Sequence, residues 1–239
     1  KVSEKKFIIL IKITMIPKII HYCWFGGNPL PDKVQMCIDT WKRHLSDYKF
    51  ILWNENNSPI HHPFVQEAMR LKKYAFASDY VRLWAIHKMG GIYLDTDMYV
   101  VKSFDDLLHN RFFCGYENSK DRIINAAIFG SEPHFKFIEI ILKKYDTLQI
   151  PSDVSIETIT IPRIITDIYN EWDEKEKITI YPYDYFYPLP QKKHRTKNFV
   201  AYSTENTYAI HLWNLSWLTI REKILLRFYW FAKSLGIKK

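Results

Sequence analysis

The sequence predicts an α/β fold built on a doubly wound, mostly parallel sheet, with a less regular C-terminal half. Three observations lead there. Strand-like and helix-like segments alternate through the first hundred residues, the pattern of successive βαβ units. A long helical stretch stops at Gly90-Gly91, a typical C-terminal cap, and gives way to the short apolar run Ile92–Leu94. Hydrophobic residues make up 47% of the 239 and charged residues 25%, enough apolar surface to bury a proper core and too much for a disordered chain.

Lys18–Phe25 alternates and is rich in β-formers, so it reads as the first strand, ended by Gly26-Gly27-Asn28-Pro29. Asp32–Leu45 places Val34, Ile38, Trp41 and Leu45 at helical spacing. Lys49–Trp53 is a second strand, closed by the polar run from Asn54 to Pro59. One helix is expected from about Phe64 to Met89, then the strand Ile92–Leu94. Beyond it, Phe112–Tyr116 and Ala126–Phe129 read as strands, Phe135–Tyr145 and Ile164–Trp172 as helices, and Ile178–Leu189 and Tyr208–Trp213 as extended segments. Leu218–Leu235 is the last helix. The division expected is an N-terminal extension at 1–14, a single domain at 15–217 and a basic amphipathic helix at 218–239.

The net charge of +8 suggests nucleic acid, but its location argues against it. Residues 1–14 carry four lysines against Glu4, and residues 218–239 six basic side chains against Glu222, which leaves residues 15–217 neutral. A nucleic-acid domain would carry its basic patch on the folded body. No apolar run reaches the roughly 18–20 residues that span a bilayer. Phe7–Ile13 carries Lys12 and lacks a small-residue cleavage site, so no secretory signal is read there. Cys23, Cys37 and Cys114 lack metal-binding spacing and read as reduced core thiols of a reducing, cytoplasmic compartment.

The sharpest motif is Gly90-Gly91-Ile92-Tyr93-Leu94-Asp95-Thr96-Asp97. On a strand, Asp95 and Asp97 share a face and Thr96 points opposite. Two carboxylates that close repel unless a cation neutralises them or one stays protonated. At the carboxyl end of a sheet strand, where α/β sheets bind ligands, Mg²⁺ or Mn²⁺ is the economical partner. A solvated acidic turn is the bland alternative. Asp79 and Arg82, three apart on the preceding helix, form either an ordinary ion pair or a pair suited to ribose hydroxyls and a diphosphate.

Three blocks together are more specific. Ile16-Pro17-Lys18-Ile19-Ile20-His21-Tyr22-Cys23-Trp24-Phe25-Gly26, then Ala77-Ser78-Asp79-Tyr80-Val81-Arg82, then Gly90 to Asp97 resemble glycosyltransferase family 32. That family contains bacterial capsular-polysaccharide sugar transferases and fungal mannosyltransferases. At these motifs it is similar to the clostridial glucosylating toxins. The resemblance spans roughly residues 16–105 and implies a GT-A-type nucleotide-sugar fold. It further implies a divalent cation at Asp95 and Asp97, retention of anomeric configuration, and Asp79 and Arg82 facing the donor. It implies that Trp24 stacks on the nucleobase, where a core position is the alternative.

Tyr208 to Trp217 resembles the family's H-x-W-x-x-S-W segment, which makes His211 a third metal ligand or phosphate contact, with Ser216 and Trp217 closing the site. Tyr181 to Pro188 resembles a P-x-x-Y-F-Y-P stretch that either lines the acceptor groove, with Tyr185 on the acceptor side, or belongs to the core. Asn125 matches an acceptor-side strand as a sugar contact. One departure is Thr160-Ile161-Pro162, where many relatives carry Thr-Gly-Pro, because isoleucine does not easily take the positive φ open to glycine.

The expected function is a retaining, metal-dependent hexosyltransferase. It would use a nucleoside-diphosphate sugar (UDP favoured over GDP) and a hydroxyl of a growing polysaccharide or lipid-linked glycan. Asp95, Asp97, Asp79 and Arg82 would be its catalytic residues, with no second carboxylate legible at nucleophile spacing. The alternatives are a non-catalytic glycan-binding protein on the same fold and a sugar-phosphate nucleotidyl- or phosphotransferase. From Leu218 to Leu235 an apolar stripe faces basic residues, which predicts peripheral contact with the anionic inner face of a membrane; a helix packed on the core fits the stripe equally.

Overall fold

The computed structural model describes residues 16–150 and 159–214. The element order is β1 (Ile19–Cys23), α1 (Asp32–His44), β2 (Lys49–Trp53), α2 (Pro63–Arg70), α3 (Tyr74–Met89), β3 (Gly91–Leu94), β4 (Met98–Val100), β5 (Phe112–Tyr116), β6 (Ile124–Ser131), α4 (Lys136–Tyr145), α5 (Ile161–Asn170), β7 (Ile178–Tyr181) and β8 (Ala209–His211). A six-stranded sheet has the order β2-β1-β3-β6-β5-β7, and β4 pairs with β8 in a small second sheet. The mostly parallel α/β architecture is borne out: within the six-stranded sheet only β6 runs against its neighbours, among the described residues.

Alternation along the strands feeds two cores. Tyr93, Phe112 and Cys114 point to the face covered by α2, α3, α4 and α5, while Ile92, Leu94 and Phe113 point to the face covered by α1 and the small sheet. All three cysteines are buried and unpaired, as expected of core thiols; burial pushes the Cys23 thiol up to about 12.

Gly90 and Gly91 mark the start of β3 for a steric reason. Both have positive φ, and a Cβ on Gly91 would stand 2.6 Å from the Ile19 carbonyl oxygen. His21 fastens this junction from the neighbouring strand. Its Nδ1 accepts from Trp53 Nε1 at 3.0 Å, so Nε2 carries the proton and donates to the Gly90 carbonyl at 2.9 Å. Burial holds that imidazole down at about 4, hence neutral.

Three sequence expectations are corrected, and the reading of Ile161 is consistent with the structure. The single helix from Phe64 to Met89 is two helices. Lys72 adopts φ 56°, and Lys73 N–H returns to the Ala68 carbonyl, a Schellman-type stop made without glycine. Asp95, Thr96 and Asp97 form the turn between β3 and β4 rather than strand, so the two aspartates converge through the turn, not through alternation. The extended stretch expected to Leu189 ends at Tyr181, where tight turns take over. Ile161 needs no positive φ: Thr160 caps α5 from extended backbone and Pro162 sits in its first turn. Residues 1–14, Ser216, Trp217 and the basic helix at 218–239 lie outside the described residues.

Candidate active site

The site grows from the end of β3. Asp95 N–H donates to the Ala127 carbonyl at 2.7 Å, and the Asp95 carbonyl accepts from Met98 N–H at 3.0 Å, which closes the turn and turns Asp97 back beside Asp95. β4 then pairs with β8 so that Met98 lies opposite His211. This pairing across more than a hundred residues delivers the imidazole: His211 Nε2 lies 3.2 Å from Asp97 Oδ1. One ligand atom each from Asp95, Asp97 and His211 fall within 4.8 Å of one another. Asp97 Oδ2 also accepts from Asn214 N–H at 2.7 Å, and the Asp97 carbonyl accepts from Leu212 N–H at 3.0 Å. Asp97 thus ties down the returning strand as well as facing the cluster.

Arg82 lies beneath the turn. Its Nη2 stands 3.0 Å from Asp79 and 3.2 Å from Asp95, Nε donates to the Ser78 carbonyl and Nη1 to the Ala126 carbonyl, and the guanidinium stacks over the Tyr93 ring at 4.4 Å. Tyr93 Oη donates to Asp95 Oδ1 at 2.9 Å and shares a hydrogen bond with Ser78. Arg82 is 5% and Asp79 7% exposed. The pair therefore clamps Asp95 from inside the protein; its donors are spent on the chain, not presented as an open bidentate face.

Burial sets the protonation pattern. It raises Asp95, against the pull of Arg82, and Asp97 beside it raises it further. Asp97 itself is held below the ordinary carboxylate range, because the His211 imidazole and the Asn214 amide outweigh burial. His211 is raised in turn, Asp97 outweighing its desolvation. Asp79, desolvated with only Arg82 to oppose it, is pushed up to about 7.

Of the other residues picked out from the sequence, Trp24 lies just past β1, partly buried, its Nε1 donating to the Asn28 carbonyl at 2.6 Å. Asn125 is buried beside the floor of the site: its Oδ1 accepts from Ala127 N–H, and its Nδ2 donates to Glu117 at 3.0 Å. Tyr185 is not brought to the cluster. It stacks between Tyr181 and Tyr208, and the rings that meet His211 are Trp213, at 4.2 Å, and Tyr187, at 5.8 Å. The sequence reading missed Tyr187, Tyr93, Glu117 and Lys33, whose ammonium reaches the Leu212 carbonyl at 3.4 Å. Two of these carried a signal: Tyr93 in its place two residues before Asp95, and Tyr187 within the P-x-x-Y-F-Y-P stretch.

A mostly parallel sheet with a D-x-D turn at the carboxyl end of its third strand is the GT-A-type fold. The chain carries the matching sequence region: a protein-family model described as "Glycosyltransferase sugar-binding region containing DXD motif" matches residues 31–113. The resemblance to glycosyltransferase family 32 is thereby borne out. The chain is 42% identical over 85 residues to "Glucan organizing enzyme 1" of Cryptococcus neoformans var. grubii, covering 32% of this chain and 23% of that protein. It is 26% identical over 214 residues to "Uncharacterized glycosyltransferase L373" of Acanthamoeba polyphaga mimivirus, covering 85% and 84%. Among solved structures, the apo form of the glycosyltransferase GlyE of Streptococcus pneumoniae shares the fold, with TM-score 0.51 and 12% identity over 92% of this chain and 64% of that one. The chain spans about a quarter of the length of the first of these relatives.

Proposed function

We propose that this chain is a retaining, metal-dependent glycosyltransferase that moves a hexose from a nucleoside-diphosphate sugar, UDP rather than GDP, to a hydroxyl of a growing polysaccharide or lipid-linked glycan. The convergence of Asp95, Asp97 and His211 at the carboxyl end of β3 carries this reading. Two carboxylate oxygens and an imidazole fit a divalent cation, and the imidazole favours Mn²⁺ over Mg²⁺. His211 Nδ1 is buried without a protein partner, so nothing in the described protein competes for the orientation in which Nε2 faces the cluster. When bound, the ion would neutralise the charge that develops on the departing diphosphate.

The chain's own residues do the rest. Arg82 and the Tyr93 hydroxyl hold Asp95 in position, so the turn is set before donor arrives. Trp24, tethered at its Nε1, offers a ring face to the nucleobase, and Asp79 and Arg82 support the donor side. Asn125 faces the transferred sugar. Tyr185 belongs to an aromatic stack on the acceptor side, and Ser216 and Trp217, outside the described residues, close the donor site as the family segment implies. No helix among the described residues is long and apolar enough to cross a membrane. The basic stretch at 218–239 makes peripheral contact with anionic lipid at the cytoplasmic face, which brings a lipid-linked acceptor within reach.

Product analysis tests the reading. Purified protein with Mn²⁺ and a panel of UDP- and GDP-sugars should yield free nucleoside diphosphate and a glycoside or free sugar, and EDTA should stop it. Pyrophosphate as product would identify a nucleotidyltransferase. No turnover of any donor, with or without metal, would leave a glycan-binding protein.

A further inference from the structure

We propose that Glu117 is a catalytic carboxylate that faces the transferred sugar and stabilises the positive charge developing at its anomeric carbon as the bond to the diphosphate breaks. This inference rests on the glycosyltransferase reading above and supplies the second carboxylate that the sequence did not disclose. Glu117 lies one residue past β5, in the turn to β6, where its N–H donates to the Ile123 carbonyl at 2.8 Å. Alternation along β5 turns Phe113 and Gly115 toward the core of the small sheet, Gly115 facing Phe186, so Glu117 points to the side that carries Tyr187 and His211.

Its carboxylate is held on one oxygen. Asn125 Nδ2 donates to Oε2 at 3.0 Å, while Asn125 Oδ1 accepts from Ala127 N–H at 2.8 Å, which fixes the amide orientation. Ala127 is the residue whose carbonyl anchors Asp95, and Ala126 the one whose carbonyl anchors Arg82. Glu117 is thus tethered to the backbone that carries the D-x-D turn. Its Oε1 has no hydrogen bond, and its carboxylate no ion pair, among the described residues. The charge lies within electrostatic reach of both the His211 imidazole and the Tyr187 hydroxyl.

A carboxylate with no ion-pair contact among the described residues, and steered by a neutral amide, suits a transient cation better than a permanent partner. An oxocarbenium-like sugar is such a cation. No covalent step is required. The sugar–phosphate bond breaks with its electron pair leaving on the diphosphate, the acceptor hydroxyl adds at the same carbon, and its proton passes to the leaving phosphate.

Donor hydrolysis without glycan acceptor separates this role from acceptor binding. Glu117→Gln keeps shape and an acceptor for Asn125 but removes the charge. The expected result is a roughly 100-fold fall in kcat for both hydrolysis and transfer, with the Kd of the nucleoside diphosphate and the thermal midpoint unchanged. Formate should partly restore hydrolysis to Glu117→Ala. Full hydrolysis by Glu117→Gln would overturn the proposal while leaving the glycosyltransferase reading intact, as would a loss confined to KM for acceptor. Wild-type protein that turns over no sugar nucleotide would overturn both.

Discussion

Arg82→Met is the most informative single change in this protein. The side chain is 5% exposed, and removing the guanidinium strips Asp79 and Asp95 of their shared counter-charge in one step. It also removes the side-chain donors to the Ser78 and Ala126 carbonyls. Breaking a buried ion pair by deleting one partner costs about 3–5 kcal/mol, because the remaining charge stays desolvated. Methionine keeps much of the apolar stem, so the packing loss is small beside that. For a chain of this size each kcal/mol moves the thermal midpoint by about 2–4 °C, so a fall of roughly 6–20 °C is expected. Asp79, already pushed up to about 7 with Arg82 present, should respond by taking up a proton. Arg82→Met/Asp79→Asn should therefore recover part of the loss, giving a positive coupling in a double-mutant cycle. Urea unfolding at pH 7 measures all four proteins. A single-mutant cost below about 1 kcal/mol, or strict additivity, would refute the view that Arg82 is a buried clamp rather than a solvent-screened pair.

Asp97→Asn should abolish Mn²⁺ binding by titration calorimetry. Asp97→Ala should in addition lower the thermal midpoint, because the carboxylate also holds Asn214 N–H and His211. Asp79 makes stability depend on pH. Its folded pKa of about 7 lies above the ordinary 3.8, so the folded state retains a proton the unfolded chain has lost, and stability falls as pH rises from about 4 to 7. Asp79→Asn removes that slope, so its thermal midpoint relative to wild type should improve from pH 5 to about 7 and then level off; a constant difference would show that Asp79 is ionised throughout. Trp24→Ala should weaken nucleoside-diphosphate binding about tenfold through lost base stacking, and unchanged affinity in a folded variant would return Trp24 to the core.

What the sequence determined by itself was local. The switch between alternating and helical periodicity located β1, α1 and β2, because each follows from which side chains must be buried. Gly90-Gly91 and the aspartates after them were equally legible, since a positive φ, a close strand approach and a pair of like charges are properties of neighbouring residues. The break at Lys72 was not, because a Schellman stop made by lysine leaves no compositional mark. The tertiary structure alone decided what meets what. It turned β6 against its neighbours and paired β4 with β8 to set His211 against Asp97. It buried Arg82 as a clamp and carried Glu117 to the side of the imidazole. Those contacts join residues tens to more than a hundred positions apart, and their partners are selected by the register of strand pairing and the packing of two cores, which no short stretch of sequence encodes.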